Sequence, residues 1–155
     1  METLMIPQAA IALCKQFEGF HRVKRNDPLR LAHPYICPAG FTTIGYGHLC
    51  KPNHPPITAA EAEIYLAQDL QTALNATLKY CPILASEPEN RLAAIVDFTF
   101  NLGAGRLQNS TLRRRINQRD WRASENELRK WVYGGGKKLP GLVMRREVEV
   151  RLLQA

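Results

Sequence analysis

A carboxylate between two aromatic rings, Phe17-Glu18-Gly19-Phe20, is the first feature of this chain that could do chemistry. Apolar surroundings disfavour the charged form of a carboxyl group, so such a group can keep its proton near neutral pH and deliver it to a leaving atom. On local sequence alone, an ordinary glutamate at the end of a helix explains Glu18 equally well. Further on, Pro34-Tyr-Ile-Cys37-Pro-Ala-Gly40-Phe-Thr-Thr43-Ile-Gly-Tyr-Gly-His48-Leu-Cys50 gathers a thiol, a hydroxyl and an imidazole in one short stretch. Two runs suited to a pleated strand, Tyr35–Cys37 and Phe41–Ile44, flank Gly40, and this pattern predicts a β-hairpin. Thr43 can orient a water through its hydroxyl or simply favour the strand as a β-branched residue. Cys37, His48, Cys50 and His54 follow a C-x10-H-x-C-x3-H spacing that matches no structural zinc pattern, so neither a metal nor another cofactor is expected.

Taken together, Phe17-Glu18-Gly19, Tyr35-x-Cys37-Pro-Ala-Gly40 and Thr43-Ile-Gly-Tyr-Gly-His48 resemble the active-site signature of the phage-type lysozymes, the endolysin muramidases. The resemblance continues at Phe100-Asn101-Leu-Gly103-Ala-Gly105, at Asn109-Ser110-Thr111-Leu112 and at Gly134-Gly-Gly-Lys-Lys-Leu-Pro140-Gly-Leu-Val-Met-Arg145-Arg146-Glu147, so it spans nearly the whole chain. It implies hydrolysis of the β-1,4 bond between N-acetylmuramic acid and N-acetylglucosamine in peptidoglycan, ending in host lysis. Glu18 then supplies the proton, and Thr43 takes the family's third catalytic position. The family places an aspartate between them, with eight residues between it and the glutamate and five between it and the threonine. Counting back from Thr43 gives Cys37, in a Tyr-x-Cys-Pro-x-Gly frame that reproduces the family's Tyr-x-Asp-Pro-x-Gly, whereas counting forward from Glu18 gives Asp27 in a basic loop. Cys37 is the favoured candidate and Asp27 its rival. A thiol can hold a water through a weak hydrogen bond and, as a thiolate, act as base or nucleophile, or it can be a small buried hydrophobe. By the same resemblance His48, Asn109 and Ser110 are candidate substrate-binding residues. His48 is more readily a structural partner of a carboxylate or backbone group, and Ser110 can equally be a helix cap.

Two other readings stay open. In a lytic transglycosylase the sugar's own hydroxyl replaces water and one glutamate suffices. A non-catalytic cationic protein that binds envelope or nucleic acid would keep its activity without Glu18 and lose it steeply with salt.

The chain has 155 residues and a formal charge of +7. That length suits one domain with a core that needs no disulfide or metal staple. Residues 1–112 carry nine Lys/Arg and nine Asp/Glu, while residues 113–155 carry twelve and five, so the whole excess lies in the last third. Either this is a solvated face or it draws the protein to an anionic envelope surface; no nucleic acid is expected, and a monomer is. The start, Met1-Glu-Thr-Leu-Met-Ile-Pro7, lacks the pattern of a secretion signal, and no apolar run approaches the ~20 residues that span a bilayer. The expected location is the host cytoplasm until a pore such as a holin releases the protein to the periplasm. Four cysteines, Cys14, Cys37, Cys50 and Cys81, are expected as reduced thiols.

The elements that must position these groups follow from the periodicity. Ala10, Leu13, Cys14 and Phe17 predict a helix from about Pro7 that ends at Glu18. His21–His33 reads as an exposed basic loop. Thr58-x-x-Glu61 is a capping box for a helix to about Tyr80, its inner stripe being Ile64, Ala67, Leu70, Leu74 and Leu78. Ser86-x-x-Glu89 predicts the next start, and Gly103 and Gly105 its end. Ser110 and Asp120 are expected to cap helices over Thr111–Asn117 and Trp121 to about Val132. A flexible Gly134–Gly136 loop precedes a last helix from Pro140 with Met144, Val148 and Leu152 facing inward. The fold class is α+β, mostly helical and lysozyme-like: a small hairpin lobe over about 18–57, a connecting helix over about 58–80, and a helical lobe over about 81–155 that also takes the N-terminal helix, with a cleft between the lobes.

Overall fold

The computed structural model describes residues 4–20 and 22–154. Met1–Thr3, part of the start read for a signal, and His21, at the head of the basic loop, lie outside the described residues, as does Ala155. Helix α1 (Gln8–Glu18) buries Ala10, Leu13 and Cys14, and it ends at Gly19, whose φ of +67° suits a residue without a Cβ. Three short strands follow, β1 (Tyr35–Ile36), β2 (Thr42–Ile44) and β3 (His48–Leu49), antiparallel in the order β1-β2-β3. Tyr35 pairs with Thr43, and Thr43 with Leu49, so the expected hairpin has a third strand. Ala32, Ile44, Ile57 and Ala62 form the small core beneath this sheet.

Helix α2 (Ala59–Tyr80) carries the predicted capping box with both halves made. Its buried stripe is Ala62, Leu66, Leu70, Ala73, Leu74 and Thr77, whereas Ile64 is 57% exposed. The stripe therefore sits off the predicted line, because small alanines and a threonine fill close helix contacts that hydropathy undervalues. A 3-10 turn (Pro82–Ser86) leads to α3 (Glu89–Leu102). Ser86 does not cap α3: its hydroxyl donates to the Ile83 carbonyl within the turn, and Pro88 holds the cap position. Helix α3 is buried from Leu92 through Thr99, Asp97 included.

The chain ends with α4 (Ala104–Gln108), α5 (Thr111–Asn117), α6 (Trp121–Leu128) and α7 (Pro140–Leu153). Ser110 and Asp120 cap α5 and α6 as expected, accepting the N–H groups of Arg113 and Ala123. Helix α6 stops at Leu128, short of the predicted Val132, and Gly105 lies within α4 rather than ending α3. The triple-glycine loop is a tight hairpin between β4 (Tyr133–Gly134) and β5 (Lys137–Lys138), with φ of +58° and +78° at Gly135 and Gly136.

The inward face of α7 differs most from expectation. Arg145, Arg146, Glu149, Val150 and Leu153 are buried, while Met144 is 63% exposed. Guanidinium groups can point inward here because α3 presents Asp97 and Asn101 to receive them. The larger core joins α1, α2, α3 and α7 around Phe98, and Tyr46 packs against both cores.

Candidate active site

Glu18 is the last residue of α1, so its side chain leaves the helix where the backbone turns at Gly19. Arg145 of α7 meets it: Nη1 donates to Glu18 Oε1 at 2.7 Å. The same guanidinium donates through Nε and Nη2 to the Asp97 carboxylate of α3, at 2.9 and 2.7 Å, and lies over the Phe17 ring. Burial alone would push the Asp97 carboxyl up, but Arg145 opposes it and holds the group down at about 2. An apolar setting was expected for Glu18; the group pressed against it is a cation.

On the other side lies the hairpin. A Cβ on Gly47 would fall 2.7 Å from Glu18 Oε2, and Gly47 has a φ of +76°, so glycine is required there on both counts. Tyr35 of β1 shares this region. Burial raises its phenol above the ordinary value, and charge on Glu18 adds to the rise. Cys37 and Thr43 flank Tyr35 in the hairpin, Thr43 as its cross-strand partner. Thr43 is buried, and its hydroxyl donates to the Tyr35 carbonyl at 3.4 Å. Cys37 opens a tight turn: its N–H donates to the Phe41 carbonyl and its carbonyl accepts from Gly40, whose φ is +90°. Asp27 stays in its exposed loop, where the N–H groups of Leu31 and Leu29 both bond its carboxylate and hold it below the usual carboxylate range.

The other candidates have structural partners. His48 Nδ1 lies 2.8 Å from Asp69 Oδ2, and the ring stacks on Tyr65 with centroids 4.2 Å apart. His54 turns to the Pro55 carbonyl, and among the described residues no group of three or more His, Cys, Asp and Glu could hold a metal ion. The four cysteines are free thiols, Cys14 and Cys81 being buried, with burial pushing the latter up to about 12. Ser110 is occupied as a cap, its hydroxyl also donating to the Leu107 carbonyl. Asn109 is exposed and lines a recess with Ser110, Arg113, Arg114 and Asn117.

Sequence reasoning missed Arg145, Asp97 and Gly47. Arg145 and Arg146 were counted with the surface charge, yet they are 3% and 0% exposed. The available signal is Asp97, the one charge within the run Leu92–Phe98 of α3, which needs a cation from elsewhere.

The chain is similar to known proteins along most of its length. The chain is 42% identical over 118 residues to a SAR-endolysin of Bacteriophage PS119, covering 75% of this chain and 70% of the relative. It is 35% identical over 145 residues to an endolysin of Acyrthosiphon pisum secondary endosymbiont phage 1, covering 89% and 96%. Among solved structures, the muramidase domain of SpmX from Asticaccaulis excentricus superposes with a TM-score of 0.78 at 26% identity over 99% of both chains. The profile described as phage lysozyme matches residues 15–149, which include Glu18, the hairpin and Arg145: the chain belongs to the phage lysozyme family.

Proposed function

We propose that this protein is a phage endolysin that hydrolyses the β-1,4 bond between N-acetylmuramic acid and N-acetylglucosamine, with Glu18 as proton donor. The observation that carries the assignment is the two-sided hold on that carboxyl group. Arg145 takes Oε1, while Oε2 lies against the bare backbone of Gly47, on the hairpin side from which Cys37 and Thr43 come. The proton rides on Oε2 and passes to the leaving glycosidic oxygen as the bond breaks. Cys37 and Thr43 orient the attacking water from the hairpin, with the thiol in the place of the family's aspartate. The substrate chain lies between the small lobe and the helical lobe, and Asn109 contributes from the far wall. His48 instead braces the hairpin on α2 through Asp69.

The exposed part of the basic last third, including Arg114, Lys137 and Lys138, draws the enzyme to the anionic envelope. Arg145 and Arg146 are internal and take no part in that attraction. Among the described residues no helix is long and apolar enough to cross a membrane, and release by a phage-encoded pore is part of this reading.

The test is digestion of purified peptidoglycan followed by mass spectrometry of the fragments. The wild type is expected to leave reducing muramic ends; anhydro ends would establish transglycosylation instead. Glu18→Gln keeps shape and hydrogen bonding but has no proton to give, so turnover should fall by a factor of at least about 100 in folded protein. Cys37→Asp should stay active and Cys37→Ala should slow. Retention of more than about a tenth of the rate in Glu18→Gln, far above what loss of a general acid permits, would refute the assignment.

A further inference from the structure

Glu18 and the hairpin that faces it belong to different lobes, so their spacing must be set by whatever joins the two cores. Among the described residues, Tyr46 is the one partly buried apolar side chain that packs against both. It stands at the middle of the turn between β2 and β3, Gly45–Gly47, a place where hairpins usually carry small polar residues and point into solvent. Here the tip turns inward, and each of its three residues rests on a different part of the molecule. Gly45 is buried against α2, where an added Cβ would come within 3.0 Å of the Ala62 Cβ. Gly47 lies against the Glu18 carboxylate.

Between them, the Tyr46 ring is flanked by near neighbours of Glu18 in the chain. Phe20, two residues beyond Glu18, meets it at a centroid distance of 5.8 Å and a tilt of 37°. The Lys15 ammonium, three residues before Glu18, stands 5.8 Å from its centroid and is paired with Glu63 of α2. That ion pair is exposed and adds little stability of its own, but it fixes where the cation stands. Tyr46 is therefore seated on the segment that carries Glu18. Nothing else in the hairpin does this work: the buried residues beneath the sheet, Ala32, Ile44, Ile57 and Ala62, tie it to α2 and include none from α1. Gly47 has no side chain with which to hold its own place, and β2 and β3 are only three and two residues long.

We propose that Tyr46 is a positioning residue for the lysozyme reaction: its ring, seated between Lys15 and Phe20 and touching both cores, sets the gap between Glu18 and the hairpin that carries Cys37 and Thr43. The kinetic consequence rests on Glu18 being the proton donor, whereas the placement itself does not. Shifting reacting groups by about 1 Å is enough to cost a reaction much of its rate.

Tyr46→Leu keeps an apolar side chain at the turn and removes the ring. Its kcat on soluble peptidoglycan fragments is expected to fall about tenfold with KM within about twofold of wild type, because alignment is lost while the walls that bind the glycan remain. Tyr46→Phe keeps the ring and should hold kcat within about twofold of wild type. With Glu18→Gln inactive, two results overturn the proposal. One is a purely structural effect, in which Tyr46→Leu unfolds more readily but turns over at the wild-type kcat per folded molecule. The other is a Tyr46→Phe variant as slow as Tyr46→Leu. Should Tyr46→Leu not fold, Phe20→Leu removes the ring on which Tyr46 leans and must show the same fall in kcat at steady KM; an unchanged kcat there is equally fatal.

Amide NMR tests the placement without turnover. Because the Glu18 carboxylate lies against Gly47, Glu18→Gln should move the Gly47 amide resonance in the otherwise wild-type protein, and move it less in the Tyr46→Leu background. If Glu18→Gln retains activity, the donor assignment fails and this measurement alone decides: a smaller response upholds the seat of Tyr46, and an equal response in the two backgrounds overturns it.

Discussion

Glu18 is held from two sides by opposite means. Toward α3 and α7 it meets directed charge, a buried guanidinium fixed by Asp97 and seated on Phe17. Toward the hairpin it meets a backbone that comes close because Gly47 has no side chain. The packing behind the two sides differs in the same sense. The helical side is backed by a large core centred on Phe98, the hairpin by Ala32, Ile44, Ile57 and Ala62. One side should therefore be vulnerable to removal of charge and the other to addition of volume.

The largest effect is expected on the charged side. Arg145→Met removes the cation that pairs Asp97 and Glu18 and leaves a carboxylate buried without a partner, a change that typically costs about 3–5 kcal/mol. Urea unfolding measures it, with activity expected to vanish as well. A loss under about 1 kcal/mol would mean that packing rather than charge holds the seam, well short of the cost of breaking a buried pair.

A paired substitution probes the hairpin side. Gly40→Ala and Gly47→Ala both place a Cβ at positive φ, a strain of about 1–2 kcal/mol. Nothing lies within 4 Å of the added carbon at Gly40, whereas at Gly47 it meets the Glu18 carboxylate. Unfolding should register similar strain in both, with an added penalty at Gly47 from the contact. Activity should separate them clearly, Gly40→Ala staying near wild type and Gly47→Ala falling by about tenfold or more, since about 1.4 kcal/mol of misplacement already gives that factor. Equal activities would remove Gly47 from the account of how Glu18 is aimed.

The pH dependence of stability tests the charged side more gently. Asp97 has its folded value lowered from 3.8 to about 2, so its contribution is present above about 3.8 and lost as pH falls toward 2. Glu149 works in the other direction, its folded value being raised well above 4.5 by burial and by Asp97. Above 4.5 the unfolded chain releases that proton and the folded protein keeps it, so stability declines as pH rises, by at most about 1.4 kcal/mol per unit. Glu149→Gln abolishes this decline. Unfolding curves between pH 4.5 and neutrality should converge with, then exceed, the wild type's relative trend; parallel curves would mean that Glu149 is ionised in the fold.

The same division explains what could be read from the sequence. The Thr58–Glu61 capping box and the Ser110 and Asp120 caps were legible because each is closed within three residues. The Cys37–Gly40 turn was legible for the same reason, its reversal being marked by proline and glycine. The inner face of α7 was not. Arg145 reaches Asp97 across 48 positions and Glu18 across 127, and hydropathy assigns arginine to solvent unless the partner is known. Ile64 misled for a related reason, since an isoleucine on a long helix faces inward only if a neighbouring element covers it. At the site, Glu18, Cys37 and Thr43 were found through motifs, while the residues that hold Glu18 in place come from elements distant in sequence.

The smallest effect is expected outside both sides, in the basic loop. With eight residues between it and Glu18, Asp27 matches the family's spacing from glutamate to aspartate, which makes it the rival of Cys37. Its carboxylate is committed to its own loop, accepting 2.9 Å hydrogen bonds from Leu29 and Leu31. Ala32 then ties the loop down by bridging Val23 and Ile57, and extra loop length of this kind adds little to the closure cost. Asp27→Asn keeps an acceptor oxygen for the turn and should leave turnover of purified peptidoglycan within about twofold, a change of under 0.5 kcal/mol in the barrier. Cys37→Ala, measured beside it, should be slower by a wider margin, because the thiol stands in the hairpin turn at the motif position of the family's aspartate and the Asp27 carboxylate is occupied elsewhere. The reverse order, with folded Asp27→Asn inactive and Cys37→Ala unimpaired, would move the second catalytic group from the hairpin turn to the loop and require that loop to fold over Glu18 when substrate binds.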